Sequence, residues 1–411
     1  MSTPRNTSLS PALTLLMAIA TGLTVASNYY AQPLLHTIAQ QLGLSTASAG
    51  SIVITAQLSY GAGLFLLVPL GDLLEQRRLI VTMTLLSAAG LVLSAMAPNL
   101  TLLLLGTAIT GLFSVVAQVL VPMAASLAHP QHRGRVVGTL MSGLLLGILL
   151  ARTAAGLVSS LADWRAIYWL AAALLTLCAV ALAFSLPRRR QSAGLGYGQL
   201  LGSVLTLFVE EPVLRLRALL GLLTFCLFGL FWTPLAFVLS AAPYGYCDAT
   251  IGLFGLAGAA GALAANAAGR LADRGKGSLA TLIGLATLLA AWLPLAFAGR
   301  SLWALLLGVL VLDLAVQLVH VSNQNAVYAL RPLARNRLNA GYITCYFIGG
   351  ALGSTLGAQL YARLGWPGIV GAGVAISALA LVVWLTRATA SSAPSAQRDS
   401  SSSPDIDLRS R

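Results

Sequence analysis

Charge is the property that this 411-residue sequence has least of. Only 9% of its residues are Asp, Glu, Lys or Arg, and Lys276 is the only lysine. A soluble domain is about 25% charged, so this composition excludes an ordinary water-exposed surface. Hydrophobic residues make up 58% of the chain. They form repeated runs of about 20 residues, long enough to cross roughly 30 Å of hydrocarbon. The sequence therefore predicts an all-α membrane protein that crosses the bilayer many times.

Residue patterns that would indicate an enzyme or a metalloprotein are also missing. The four cysteines, Cys178, Cys226, Cys247 and Cys345, have neither metal-ligand nor disulfide-framework spacing, so we expect packing roles for them. The sequence contains no phosphate loop of the form G-x-x-x-x-G-K-[ST] and no Ser–His–Asp order typical of hydrolases. These absences predict no enzymatic activity, no metal and no cofactor.

Twelve apolar segments are long enough to span the membrane, and the first is too long for the apolar region of a signal peptide. The predicted spans are residues 11–35, 47–71, 79–97, 100–127, 135–161, 165–186, 215–241, 248–271, 278–298, 301–329, 338–362 and 365–386. They divide the chain into a six-helix bundle (1–186), a linker with an interfacial helix (187–213), a second six-helix bundle (214–387) and a disordered tail (388–411).

The net charge of +13 follows membrane topology and does not indicate a nucleic-acid partner. Positive residues in short loops mark the cytoplasmic side. Alternate loops hold most of the arginines: Arg77, Arg78, Arg133, Arg135, Arg188, Arg189, Arg190, Arg270, Arg274, Arg331, Arg335 and Arg337. The opposite loops hold only Arg165, Arg300 and Arg363. Both termini are therefore predicted to lie in the cytoplasm, and the lipid bilayer is a predicted partner.

Two loops half a chain apart have similar sequences, "PLGDLLEQRR" at 69–78 and "AGRLADRGKG" at 268–277. The second resembles the loop signature of the major facilitator superfamily. The stretches "NYYAQPLL" (28–35), "VLDLAVQLVHVSNQN" (311–325), "ALRPLARNRLNAGYI" (329–343) and "GGALGS" (349–354) resemble a bacterial branch of predicted efflux permeases, with arabinose-efflux-like and drug:proton antiporter-like members. The resemblance covers residues 10 to 387.

This resemblance implies two pseudo-symmetric six-helix bundles in a bacterial inner membrane, with spans one, four, seven and ten around a central cavity. It also implies that the related loops close the cytoplasmic gate. The residues concerned are Asp72, Arg77, Arg78, Gly269, Asp273 and Arg274. Spans five and eight, and spans two and eleven, are expected to meet between the bundles. The small-residue stripes on spans five, eight and eleven would lie on these moving surfaces, with ordinary tight helix packing as the alternative.

A polar stripe crosses predicted span ten. Asp313, Gln317, His320 and Gln324 are spaced by 4, 3 and 4 residues, which places them on one helical face. Asp313 lies about 18 Å from the start of the span, near the membrane midplane. A carboxylate at that depth costs at least about 2.5 kcal/mol unless it faces water, pairs with a cation or takes a proton. The interpretations are proton coupling, a fixed ion pair with Arg152 or another structural contact, and binding of a cationic substrate.

Other polar residues are candidates for the cavity. His320 relays protons or has a structural role, since imidazole titrates near neutral pH. Gln317 and Gln324 bind substrate or join helices. On spans one, four and seven the candidates for cavity residues are Asn28, Tyr30, Gln32, Gln118 and Trp232, with interfacial anchoring the alternative for Tyr30 and Trp232.

Arg152 is the basic residue inside span five. Three roles remain open for it: a partner for Asp313, an anchor for an anionic substrate, or a residue of the outer gate whose side chain extends toward the interface.

These observations predict a monomeric secondary transporter that works by alternating access, exporting a small organic molecule in exchange for protons. The alternatives are proton symport or facilitated uptake of a metabolite, and a non-transporting membrane sensor.

Overall fold

The computed structural model describes residues 10–188, 196–258, 276–331 and 334–391, and this part of the chain is helical, without β-strands. The α-helices of the first half are α1 (Pro11–Ala26), α2 (Ala31–Leu42), α3 (Thr46–Leu66), α4 (Gln76–Ala95), α5 (Leu100–Phe113), α6 (Ala117–Leu127), α7 (Arg133–Leu161) and α8 (Arg165–Ser185). The remainder are α9 (Tyr197–Glu210), α10 (Pro212–Ser240), α11 (Asp248–Leu253), α12 (Gly277–Ala290), α13 (Trp292–Ala296), α14 (Leu302–Leu330) and α15 (Arg335–Ser391).

Within the described residues, ten helical segments are long and apolar enough to cross a membrane. Most match a predicted span to within a few residues. Predicted span eight continues into residues 259–275, outside the described residues. Predicted spans eleven and twelve both lie in α15. This element consists of two helices joined at a kink at Gly365, where φ is 63° and ψ is −156°. A positive φ at this position favours glycine, which has no Cβ to clash.

Predicted span one is two helices, α1 and α2, separated by Ser27–Tyr30. Pro33, in the first turn of α2, lacks the N–H that would bond to the Tyr29 carbonyl, and its ring would clash with that carbonyl in a continuous helix. Tyr29 lies in this interruption and, with Val25 one turn earlier, lines the cavity described below.

Glycines allow helices of the same half to pack backbone against backbone. Gly143 and Gly147 of α7 lie against α1 near Gly22, and a Cβ built on Gly22 would be 2.6 Å from the Gly143 carbonyl oxygen. The second half repeats this arrangement between α10 and α15, where Gly353 lies against the Cys226 carbonyl and Gly349 against that of Leu222. These stripes therefore join helices inside each half, and the expectation that they form the surfaces between halves is wrong for spans five and eleven.

The two halves meet along two other helix pairs, as the resemblance implied. α3 packs against α15, and α7 packs against α11. Close approach occurs at Gly50 beside Ala358 in the first pair, and at Gly252 beside the Arg152 carbonyl in the second. Residues 197–210 of the predicted linker form α9, which contacts both halves. Tyr197 Oη donates to the Leu66 carbonyl (2.8 Å), and Phe208 lies against Gly341.

Candidate functional site

A cavity of about 970 Å³ lies between the two halves. Asp72, Gln76, Arg133 and Arg337 surround its mouth, at the end of the bundle that carries the arginine-rich loops. Its walls follow α7 from Arg133 to Arg152 and α14 from Tyr328 to Asp313. Tyr29, Arg152 and Asp313 line the other end of the cavity, which we call the blind end. The cavity is therefore accessible from one face of the protein.

The polar stripe of α14 faces this cavity. Asp313, Gln317, His320 and Gln324 all line it, as their spacing predicts. Gln118 of α6, also a predicted cavity residue, lines it and hydrogen-bonds to Tyr60. These polar side chains form a line from the mouth to the blind end of a mainly apolar cavity.

Asp313 is buried, with 6% of its surface exposed, and Trp232 Nε1 donates to its Oδ1 at 3.0 Å. Among the described residues, no basic nitrogen lies within 4.0 Å of its carboxylate. The direct Asp313–Arg152 ion pair considered from the sequence is therefore not formed in this structure. Trp232 was predicted to line the cavity, but its indole instead lies behind the lining and orients the carboxylate.

Arg152 is also buried, with 2% exposed, so its side chain does not extend to the surface, and its backbone carbonyl lies against Gly252 of the other half. Its Nε donates to Gln32 Oε1 at 2.8 Å. Its Cζ lies 4.1 Å from the Trp232 ring centroid, 5.0 Å from that of Tyr29 and 5.5 Å from that of Phe228. Cation–π attraction stabilises a guanidinium in such a setting. Gln32 thus acts on Arg152 and is not itself part of the cavity lining.

His320 lies midway along the stripe, beside two tyrosines. Its Nδ1 is 3.1 Å from Tyr342 Oη, and its ring centroid is 4.5 Å from that of Tyr346. Nearer the mouth, Gln324 Nε2 donates to Asn339 Oδ1 at 3.5 Å. These contacts join α14 to α15, but both side chains keep a surface on the cavity.

Two further predicted cavity residues, Asn28 and Tyr30, do not line the cavity. Asn28 donates from Nδ2 to Ser114 Oγ at 2.8 Å, between the α1–α2 turn and the short 3-10 turn that follows α5. Tyr30 packs edge-on against Tyr168, with ring centroids 6.5 Å apart. From this part of span one, the cavity is instead lined by Val25 and Tyr29, four residues apart.

The predicted gate residues near the mouth have different partners. Asp72 lines the mouth, and its carboxylate interacts electrostatically with Arg337 from the other half. Arg77 instead donates to the Leu186 carbonyl at 3.4 Å. Arg78 is 82% exposed and pairs with Glu75 at 3.1 Å. With the mouth open, neither Arg77 nor Arg78 forms an ion pair with Asp72 in this structure. Gly269, Asp273 and Arg274 lie outside the described residues.

Asp248 closes the end of the molecule opposite the mouth, a role that the sequence analysis missed. Thr37 Oγ1 donates to both carboxylate oxygens, at 2.7 and 2.8 Å, and Ser159 Oγ donates to Oδ2 at 2.7 Å. Thr37 and Ser159 belong to the first half and Asp248 to the second. This cluster joins the halves beyond the blind end. From the sequence, Asp248 is only an acid in the first turn of a helix, a common stabilising position.

Replacing Asp248 with Ala should loosen this closed end. The loss of hydroxyl hydrogen bonds to a charged acceptor, worth about 1.5–3 kcal/mol each when buried, shifts the equilibrium toward separation by about tenfold or more. Distances between spin labels on native Cys247 and an introduced Ser160→Cys, both exposed, should lengthen and broaden. Asp163→Ala, which removes a surface acid paired with Arg165, is the control. An unchanged distance distribution in Asp248→Ala would show that the cluster does not hold this end.

No group of three or more His, Cys, Asp or Glu side chains within the described residues could hold a metal ion. The polar groups of the cavity are instead carboxylate, guanidinium, imidazole and amide, which suit proton binding and hydrogen bonding to an organic molecule.

Comparisons with known proteins agree with this architecture. The family model "Major Facilitator Superfamily" matches residues 17–327 and 267–409. The uncharacterized transporter YgaY of Escherichia coli O157:H7 is 57% identical over 382 residues, which is 93% of this chain and 97% of YgaY.

Two solved structures show the same fold. One is a bacterial homologue of the human lysosomal transporter Spinster in an inward-facing, unoccupied conformation, with a TM-score of 0.73, 14% identity and coverage of 95% of this chain and 98% of that one. The other is the nucleoside transporter NupG, with a TM-score of 0.75, 12% identity and coverage of 91% and 99%. Family model, relative and fold agree: the chain belongs to the major facilitator superfamily and is a multi-pass membrane transporter, not an enzyme.

Proposed function

We propose that this transporter couples the movement of a small organic molecule to protons, with Asp313 as the group that carries the proton. The observation that supports this most directly is a buried carboxylate that lines the cavity without an ion pair within 4.0 Å among the described residues. Such a group can take up or release a proton when the cavity faces water. The first mode is the one expected from the sequence, export of the molecule in exchange for protons.

Alternating access fits the two ends of the cavity. The mouth is accessible and the far end is held by the Asp248 cluster, so the structure has one gate open and one closed. Similarity to an inward-facing transporter structure supports assigning the open face to the cytoplasm. The arginine-rich loops at the mouth support the same assignment through the positive-inside rule.

The proposal includes the membrane in which the protein lies and its assembly state. The protein lies in a bacterial inner membrane with both termini in the cytoplasm. Its proposed working state is a monomer.

Proton symport is the second mode, and Arg152 favours it. Arg152 and Asp313 lie at the same end of the cavity, on either side of Trp232. A proton on Asp313 removes the negative charge that balances Arg152, which makes the site more attractive to an anionic group. Proton and substrate then bind together and move in the same direction.

The sign of proton movement distinguishes the two modes. Everted membrane vesicles enclosing a pH-sensitive dye, without an imposed gradient, receive candidate drugs, sugars, amino acids or organic acids outside. An antiported compound enters as protons leave, so the lumen becomes more alkaline. A symported compound carries protons inward, so the lumen becomes more acidic.

Vesicles without the protein correct for compounds that cross the lipid unaided. Entry of a compound through the protein with no change in lumenal pH would overturn proton coupling and leave facilitated transport.

A further inference from the structure

The guanidinium of Arg152 is only partly satisfied by the protein. Nε is bonded to Gln32. Nη2 is enclosed by protein atoms without a hydrogen-bond partner among the described residues, and Nη1, which is not enclosed in this way, has none there either. No described carboxylate oxygen lies within 4.0 Å of Arg152. Arg152 nevertheless lines the cavity. A buried N–H group without a partner costs about 1–3 kcal/mol, more when charged, and such groups in native structures usually have a reason.

A second buried arginine shows what a structural role looks like in this protein. Arg217 Nη1 donates to Thr281 Oγ1 at 2.8 Å and to Asn323 Oδ1 at 3.1 Å, and its Cζ lies 4.6 Å from the Trp384 ring centroid. Arg217 does not line the cavity. Both arginines stand over a tryptophan, but only Arg152 combines that position with a free donor at the cavity.

Guanidinium groups bind oxyanions through paired N–H donors, a geometry that fits carboxylate, sulfonate and phosphate groups. The aromatic rings of Tyr29, Phe228 and Trp232 surround the Arg152 guanidinium and stabilise its charge. They accept no hydrogen bond from its terminal nitrogens. The donors at the blind end therefore suit an acceptor that comes from the cavity.

The walls between the blind end and the mouth suit an apolar body. Phe225, Phe228, Tyr346 and Phe347 line this part of the cavity, and Phe225 stacks on Tyr346 with centroids 4.0 Å apart. A volume of about 970 Å³ is at the large end of small-molecule sites.

We propose that the molecule transported is an organic acid, whose oxyanion binds Arg152 at the blind end while its apolar body lies against the aromatic walls. The inference rests on the proposed transport function, for which it names the substrate class. It favours the symport mode, because a proton on Asp313 and an anion on Arg152 each make the other's binding more favourable.

Binding to the purified full-length protein in detergent tests this inference without a membrane or a gradient. The probes are naphthalene derivatives of matched shape: 1-naphthoate, 1-naphthalenesulfonate and 1-naphthyl phosphate as anions, 1-naphthamide as the neutral probe and 1-naphthylmethylammonium as the cation. Equilibrium dialysis should show at least one anion binding about tenfold or more tightly than the amide, the size of a charge-assisted hydrogen-bond pair. Equal or tighter binding of the amide or the cation, or binding of none of the anions, overturns the proposal.

Two arginine variants locate the site. Arg152→Gln should lose about tenfold or more in affinity for the preferred anion and little for the amide, whereas Arg217→Gln should keep the preference for the anion. Asp313→Asn should bind the anion at least as tightly as the wild type, because it lacks the competing negative charge. If Arg152→Gln fails to fold, the preference of the wild type and of Asp313→Asn for the anion over the amide still tests the proposal.

Loss of the anion preference in Arg217→Gln with retention in Arg152→Gln would place the anion elsewhere and overturn the assignment. Anion binding without proton movement in vesicles would leave the inference standing and remove proton coupling from the proposed function.

Discussion

Asp313→Asn is expected to abolish proton-driven accumulation while the protein still folds and still exchanges substrate across the membrane. The Asn side chain keeps an oxygen that accepts the hydrogen bond from Trp232 Nε1, so the local packing is preserved. It has no carboxyl proton to carry. One pH unit corresponds to 1.36 kcal/mol, or about tenfold accumulation for each coupled proton, and the variant should show none. Accumulation in everted vesicles with and without a pH gradient measures this loss, using a compound that moves protons through the wild type.

A matched surface variant controls for the change of charge. Asp163→Asn neutralises an acid that pairs with Arg165 at the end of the molecule opposite the mouth, and it should accumulate the compound as the wild type does. Counterflow exchange without a gradient should persist in both variants. Proton-driven accumulation by Asp313→Asn at the wild-type level would assign the proton to another group, with His320 the next candidate on the stripe.

Gly353→Ala should severely destabilise the second half. A Cβ at this position would overlap the Cys226 carbonyl oxygen and lie 2.6 Å from its carbon and 2.8 Å from the Cys226 Cα. Backbone atoms of a packed helix cannot move aside as a flexible side chain can, so α10 and α15 must separate along part of their length. We expect a loss of about 3 kcal/mol, at the upper end of the usual range for overpacking. Thermal unfolding can be measured as the fraction of protein that stays monodisperse in detergent after heating. The midpoint temperature of the variant should be several degrees lower than that of the wild type.

A glycine of α15 beyond the break at Gly365 supplies the control. Gly371 is also in α15, but a Cβ there has no neighbour within 4 Å among the described residues. Gly371→Ala should be neutral or stabilising by up to about 1 kcal/mol, because alanine favours helix more than glycine does. Equal stability of the Gly353 and Gly371 variants would mean that the α10–α15 contact tolerates separation.

Hydrophobic runs predicted most of the helices because each must cover the thickness of a bilayer. The fourth predicted span, 100–127, has the bounds of the observed segment Leu100–Leu127, although a 3-10 turn at Ser114–Val116 interrupts it. Hydropathy does not detect such interruptions, since they leave the composition unchanged. The break before α2 did have a signal in Pro33.

Periodicity predicted which face of α14 is polar, but not what faces it. The 4-3-4 spacing is a property of one helix, whereas the Trp232 bond to Asp313 joins residues from two helices of the second half. Three roles stayed open for Arg152 for a related reason: the rise per residue gives a depth along α7 but says nothing of the aromatic side chains of α10 around it. Thr37 and Ser159, which bind Asp248, belong to the opposite half and leave no local pattern at all.

The nearness of Arg152 to Asp313 also determines how the membrane voltage acts on this protein. With Asp313 ionised, the two charges cancel, and an empty transporter carries no net charge through the field as it reorients. With Asp313 protonated and no anion bound, the moving site carries one positive charge, worth about 2.3 kcal/mol for each 100 mV crossed. Exchange of a neutral molecule for a proton uses this charged form and is driven by an inside-negative potential. Joint movement of an acid and a proton does not carry this form across the field, so that mode is electrically silent.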